Sequence, residues 1–222
     1  MSREEVDRGP HPARRWAGLA AAGVVTYVLV DVALALLRPG VSLVHNPESD
    51  YGVGPFSWLM DLNFLLRGPL PDCLLVAIVR CWRPSSTARL GVVLLAVWAA
   101  FSALLAAFPD DPLGTPATVS GAIHLLLALV AFLGALVGTI LLSLAAGRVP
   151  ALQRVRGGLL ALAVLAAVPF LALLRAGFRA DSPGGLYERL FLALELAWIL
   201  VAALSLVREH GPALAEGVSS AL

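Results

Sequence analysis

The sequence predicts an all-α, polytopic integral membrane protein: a single bundle of six transmembrane helices with both termini in the cytoplasm. Three observations predict it. Hydrophobic residues make up 59% of the 222 and charged residues 14%, where a soluble domain carries about a quarter charged. The mean hydropathy is +0.85. The apolar residues gather into six stretches, each near the roughly 20 residues a helix needs to cross a bilayer. The arginines fall on alternate connections between those stretches, which is the pattern of cytoplasmic loops. An ordinary soluble enzyme and a disordered chain do not fit this composition. Nor does a nucleic-acid binder, because a net charge of +1 gives no general attraction to a polyanion. Strand-period alternation is absent, and an open sheet would leave backbone groups unpaired in lipid.

Residues 1–15 are polar and hold Pro10 and Pro12. They are expected to form a disordered cytoplasmic tail, with Arg14 and Arg15 as the basic flank of an uncleaved signal anchor. The spans are expected over about 16–37, 57–79, 89–108, 118–145, 157–175 and 188–207, followed by a short cytoplasmic tail, 208–222. Arg3, Arg8, Arg14, Arg15, Arg80, Arg83, Arg89, Arg148, Arg154, Arg156 and Arg208 lie on one side, against Arg38, Arg175 and Arg179 on the other. That bias places both ends inside the cell. There is no lysine, which fits a GC-rich coding bias. Cys73 and Cys81 are too few for a disulfide or metal framework and are read as free thiols.

Polar residues inside the spans are costly, so each one carries information. The first helix holds Asp31, with Tyr27 one turn deeper. The second holds Asp61, Asn63, Arg67 and Asp72, of which Asp61 and Asp72 share a face with Gly68. Pro69 and Pro71 should interrupt that helix. In the fourth, His124 shares a face with Ala128, Ala131 and Ala135, a ridge that continues through Thr139, Ser143 and Gly147. Gly134 and Gly138 form a GxxxG pair, read as packing in preference to homodimerisation. The sixth helix holds Glu188, Arg189 and, two turns deeper, Glu195. Arg67 is expected to pair with Glu195, and Arg189 with Asp61. Trp16, Trp58, Trp82 and Tyr187 fall at span ends as belt residues, and Trp98 and Trp198 fall deeper as packing.

The connection 38–55 is too short for a domain and too polar for lipid. It would place His45, Glu48, Ser49, Asp50 and Tyr51 just above these groups. The next outer connection, Phe108-Pro109-Asp110-Asp111-Pro112, is acidic. Together the pattern predicts a polar pocket open to the outside, built from helices one, two, four and six. Its candidate ligand-binding residues are Asp31, Ser49, Asp50, Tyr51, Asp61, Asn63, Arg67, Asp110, His124, Glu188, Arg189 and Glu195. The same groups also fit structural ion pairs between helices.

The order of these features resembles the six-helix bacterial family "domain of unknown function 998". The resemblance rests on His45-Asn46-Pro47-Glu48-Ser49-Asp50-Tyr51-Gly52, on Asn63, Phe64 and Gly68, on Phe108-Pro109-Asp110-Asp111, on His124, and on Gly185-Leu186-Tyr187-Glu188-Arg189. It covers about residues 16–207. Asn46 after His45 and the acidic Asp50-Tyr51 depart from the family's pattern. The resemblance implies the fold and a bacterial inner membrane, and supplies no chemistry.

Four activities are open at this point. Binding of a lipid headgroup or small amphiphile needs only the polar groups and their apolar surround. Proton-coupled or ion transport would use the carboxylates and the histidine, but no inverted repeat accompanies them. Metal-free hydrolysis would use His124 with a carboxylate, and Ser49 as nucleophile without a nucleophile-elbow pattern around it. Zinc hydrolysis has ligand types in His45, His124, Asp61, Asp110 and Asp111 but no His-x-x-x-His pair. The sequence therefore predicts no metal and no cofactor. The expected partners are membrane lipids, with a second copy or another membrane protein open and nucleic acid excluded.

Overall fold

The computed structural model describes residues 11–81 and 85–209. Among these the regular structure is helical: α1 (His11–Leu37), α2 (Ser57–Arg67), α3 (Pro69–Cys81), α4 (Ser86–Leu104), α5 (Val119–Ala145), α6 (Pro150–Gln153), α7 (Arg156–Ala176) and α8 (Gly184–Glu209). Six stretches are long and apolar enough to cross a membrane: Pro12–Leu37, Ser57–Arg80, Ser86–Ala107, Val119–Arg148, Arg156–Ala176 and Gly184–Glu209. The chain is a multi-pass membrane protein. Six crossings bring the N-terminal end of α1 and the C-terminal end of α8 to one face. The connections 38–56, 105–118 and 177–183 lie at the other, here called the loop face.

Helix α1 starts at His11, so residues 11–15 continue the helix where a tail was expected. Ala13 and Ala17 are buried on its inner side, and Ala and Arg are strong helix formers. The expectations for residues 1–10, for Trp82 and Arg83, and for 210–222 lie outside the described residues.

Each span packs on its neighbours in the chain, and α8 returns to α1, which closes a ring. Leu29, Leu36, Leu126, Val168 and Leu171 point outward from that ring, as lipid-facing side chains of a membrane bundle do. The most extensive packing is between α4 and α5. A Cβ on Gly134 would lie 2.8 Å from the Leu94 carbonyl oxygen, and one on Gly138 would lie 3.2 Å from that of Gly91. The GxxxG pair is therefore used inside the chain, where missing side chains let two backbones meet. The ridge residues Ala131, Ala135, Thr139 and Ser143 are buried, as the phase of His124 requires. Trp98 and Trp198 are buried too, and Trp198 Nε1 donates to Ser143 Oγ at 2.8 Å.

The second span breaks at Gly68, between α2 and α3. Pro69 opens α3, where its missing N–H has no intrahelical partner to lose. A Cβ on Gly68 would lie 3.0 Å from both Ala103 Cβ and the Ala99 carbonyl oxygen, so the break presses against α4. Arg67, at the end of α2, is thereby held inside the bundle.

Candidate functional site

The connection 38–56 lies on the surface only in part: Pro39, Gly40, Leu43, Val44 and Gly54–Phe56 are exposed, and the segment between them turns inward. Its middle forms a short 3₁₀ helix, Glu48–Gly52, in which Glu48, Ser49, Asp50 and Tyr51 are all buried. Two arginines hold it there. Arg38 Nη1 donates to the carbonyls of Asp50, Tyr51 and Val53 at 3.0, 3.2 and 2.6 Å. Arg189 Nη1 donates to those of Asn46 (2.8 Å) and Leu43 (3.3 Å). Their guanidinium carbons lie 5.9 and 5.8 Å from the centre of the Tyr51 ring, within cation–π range. Tyr51 packs with Leu34, Met60, Phe64 and Leu105 in a small core of its own. Asn46 ties the turn by accepting from the Ser42 N–H and donating to Asp50 Oδ2 at 2.6 Å. His45 Nδ1 meets the Ser182 carbonyl at 2.9 Å.

Helix α8 receives this loop through Gly185, Glu188 and Arg189. A Cβ on Gly185 would collide with the Asn46 carbonyl, so the loop's approach requires glycine. Glu188 Oε2 accepts from the Glu48 N–H at 2.7 Å. The loop's depth puts the Glu48 side chain among groups from two helices. Tyr27 OH donates to Glu48 Oε1, Arg67 donates to Tyr27 OH, and Arg67 Nη2 reaches Glu48 Oε2 at 3.3 Å. Arg67 also lies over the rings of Tyr27 and Phe64, at 4.8 and 5.5 Å.

A second group lies beside it. Ser49 Oγ donates to Asp110 Oδ2 at 2.5 Å, and that oxygen lies 4.0 Å from His124 Nε2. His124 Nδ1 is 2.7 Å from the Phe108 carbonyl, which can only accept, so Nδ1 carries a proton. Phe64 meets the His124 ring edge-on at 5.8 Å. Asp111 caps Thr118 through its N–H and hydroxyl, both at 2.7 Å, and Thr118 in turn caps α5 at Gly121. The order Ser–Asp–His differs from a nucleophile relay, in which histidine touches the serine.

These two groups border one cavity of about 310 Å³. Glu48, Ser49, Arg67, Asp110, His124 and Glu188 supply its polar lining. The rest is apolar, largely from α5 (Ala128, Phe132) and α7 (Phe170, Leu173). Leu125, Leu129 and Leu174 also line it, and all three are exposed on the lipid side of the bundle. A second hollow of about 350 Å³, bordered by Pro47, Asp111 and Thr115, adjoins it on the loop face and shares Asp110, Leu125 and Phe178.

Of the twelve residues expected at a site, Ser49, Arg67, Asp110, His124 and Glu188 line this cavity. Asp50, Tyr51 and Arg189 build the loop that closes it. Burial raises the Asp50 carboxyl and the Tyr51 phenol above their ordinary values. Asp31 stands near Glu48 and Arg189, with a buried Oδ1 that has no hydrogen bond. Asn63 is buried on α2, its amide 3.5 Å from the Tyr27 carbonyl. Asp61 is half-buried and does not border the cavity. Glu195 is fully buried away from it, and among the described residues its one hydrogen-bond partner is Thr139 Oγ1 at 3.4 Å. The expected ion pairs are replaced. Arg67 meets Glu48 where Glu195 was expected, because the folded-in loop reaches Arg67 first. Arg189 meets loop carbonyls where Asp61 was expected. Helix α1 contributes no lining residue, and α7 does so in its place.

Glu48 is the principal residue missing from the sequence-derived set. The available signal was Tyr27 and Arg67, two polar groups at depth on separate helices that needed a common acceptor.

The family described as "Protein of unknown function (DUF998)" matches residues 21–205, and the chain belongs to it. No curated protein and no solved structure matches the chain.

Proposed function

We propose that this member of the family binds a small amphiphile or a lipid headgroup, with the loop face turned to the outside of the cell. The observation that carries the reading is the division of one cavity's lining. Charged and hydroxyl groups from the folded-in loop, Asp110, His124, Arg67 and Glu188 stand against an apolar wall from α5 and α7. Leucines exposed on the lipid side border the same space. A cavity of a few hundred Å³ with few polar groups in an apolar wall is the usual form of a small-molecule site. An occupant with both a polar head and an apolar tail matches both parts of the lining. The arginine distribution supports the orientation.

The test is native mass spectrometry of the protein purified in a mild detergent. A bound lipid or amphiphile is expected on the wild type. Ala128→Trp, which fills the apolar part of the cavity, is expected to lose it while keeping the fold. Retention of the same species by Ala128→Trp would overturn the reading.

A further inference from the structure

Resting on that binding site, we infer that the head of its occupant is an organic ammonium group, seated between Glu188 and the phenylalanines of the cavity wall. The first ground is charge. Three carboxylates line the cavity, from Glu48, Asp110 and Glu188, against one guanidinium, Arg67. Arg67 is already committed to Glu48 at 3.3 Å and to Tyr27. Among the described residues no arginine lies within 4.0 Å of Glu188 or Asp110, and the histidine near Asp110 stands 4.0 Å away.

The second ground is the state of Glu188. It is 6% exposed and lines the cavity. One of its oxygens takes the Glu48 N–H, and no hydrogen bond reaches the other among the described residues. Arg67 and Arg189 act on Glu188 only from beyond 4.0 Å, so a buried carboxylate here is disfavoured, and a cation delivered by a ligand in contact with it offsets that cost.

The third ground is aromatic. Phe64, Phe132, Phe170 and Phe178 border the same space, and ring faces attract ammonium groups, including alkylated ones, once water is excluded. A fatty-acid anion would meet the opposite field, because the one guanidinium present is already paired.

The experiment titrates dodecylammonium, dodecyltrimethylammonium, dodecanol and dodecanoate into the full-length protein in phosphatidylglycerol nanodiscs, with affinities from calorimetry. Both ammonium compounds are expected to bind at least tenfold more tightly than dodecanoate. Glu188→Gln keeps an acceptor for the Glu48 N–H and removes the charge. It is expected to weaken the ammonium compounds about tenfold and leave dodecanol nearly unchanged. Competition by phosphatidylethanolamine added to the nanodiscs identifies a lipid-borne amine, and lack of competition identifies a free one. Equal affinity for dodecanoate, or unaltered ammonium binding in Glu188→Gln, overturns the inference. Ala128→Trp separates the two failures. If it abolishes binding of every probe, the cavity binds amphiphiles whatever their charge. If it changes none, the cavity reading itself is wrong.

Discussion

The backbone N–H of Glu48 donates to Glu188 Oε2 at 2.7 Å, across 140 positions of sequence. That bond joins a connection between the first two spans to the start of the last one. Arg189, the next residue along, holds the carbonyls of Leu43 and Asn46, and the Leu186 N–H donates to the Val44 carbonyl at 2.9 Å. The Gly-x-x-Glu-Arg segment is thus a receptor for the 43–48 loop, and the loop forms one wall of the cavity.

Removing one member of the Arg67–Glu48 pair should cost far more than removing both. Arg67→Met leaves Glu48 buried without its cation, and a loss of about 3–5 kcal/mol is expected. The double variant Arg67→Met with Glu48→Gln should recover much of that loss. Unfolding in detergent, followed by circular dichroism, measures the difference. Equal losses in the single and double variants would show that the pair's charge is not what matters.

Gly185→Ala places a methyl group against the Asn46 carbonyl. The loop must move away, and a cost of about 1–3 kcal/mol is expected, the range for overpacking a tight contact. The displaced loop should also become open to protease near Asn46. Wild-type stability and wild-type protease resistance together would contradict the docking geometry.

Asp50 predicts a pH dependence. Burial is the first cause of its raised value, and the Asn46 and Leu113 hydrogen bonds oppose it. The folded state therefore holds this proton more tightly than the unfolded state does. The stabilisation from this group is complete below the ordinary value of 3.8 and is lost as pH rises through the folded-state value. The unfolding midpoint of wild type minus that of Asp50→Asn should accordingly fall as pH rises above 3.8. A difference that is flat or rises with pH would refute the sign.

Trp198→Phe removes the donor to Ser143 Oγ while keeping most of the ring's packing. A loss of about 1 kcal/mol is expected from the hydrogen bond, with some further loss from the smaller ring. Gly134→Val should be more damaging, because its Cβ position lies 2.8 Å from a backbone oxygen that cannot rotate away. If the GxxxG pair instead served a dimer, Gly134→Val would yield a stable monomer. Thermal unfolding combined with light scattering distinguishes these outcomes.

The orientation is testable by labelling. With the loop face outside, a cysteine at Thr115, an exposed position on that face, should react with a membrane-impermeant maleimide in intact cells. A cysteine at Gln153, the exposed last residue of α6, should react only after permeabilisation. The reverse pattern would overturn the arginine-based assignment.

The number of spans and the inward face of α5 were legible in the sequence. These follow from local quantities: the length of an apolar run set against bilayer thickness, and the angular phase of a helix. The sequence also singled out Arg67, His124 and Glu188, because polar groups stand out in an apolar stretch, and Ser49 and Asp110 through the polar outer connections that hold them. Which of these groups meet depends on how the helices and loops pack. Arg67 and Glu195 looked like partners by depth, yet Arg67 is taken by Glu48, from a connection whose composition reads as a surface loop. Asp61 shares the span of Arg67 but does not border the cavity. Helical phase assigns a face, not the neighbour across from it. A loop's position depends on carbonyl-to-arginine bonds and on a glycine contact between segments far apart in the chain. Those long-range contacts fold 48–52 into the bundle and turn a run of polar residues into the wall of a cavity.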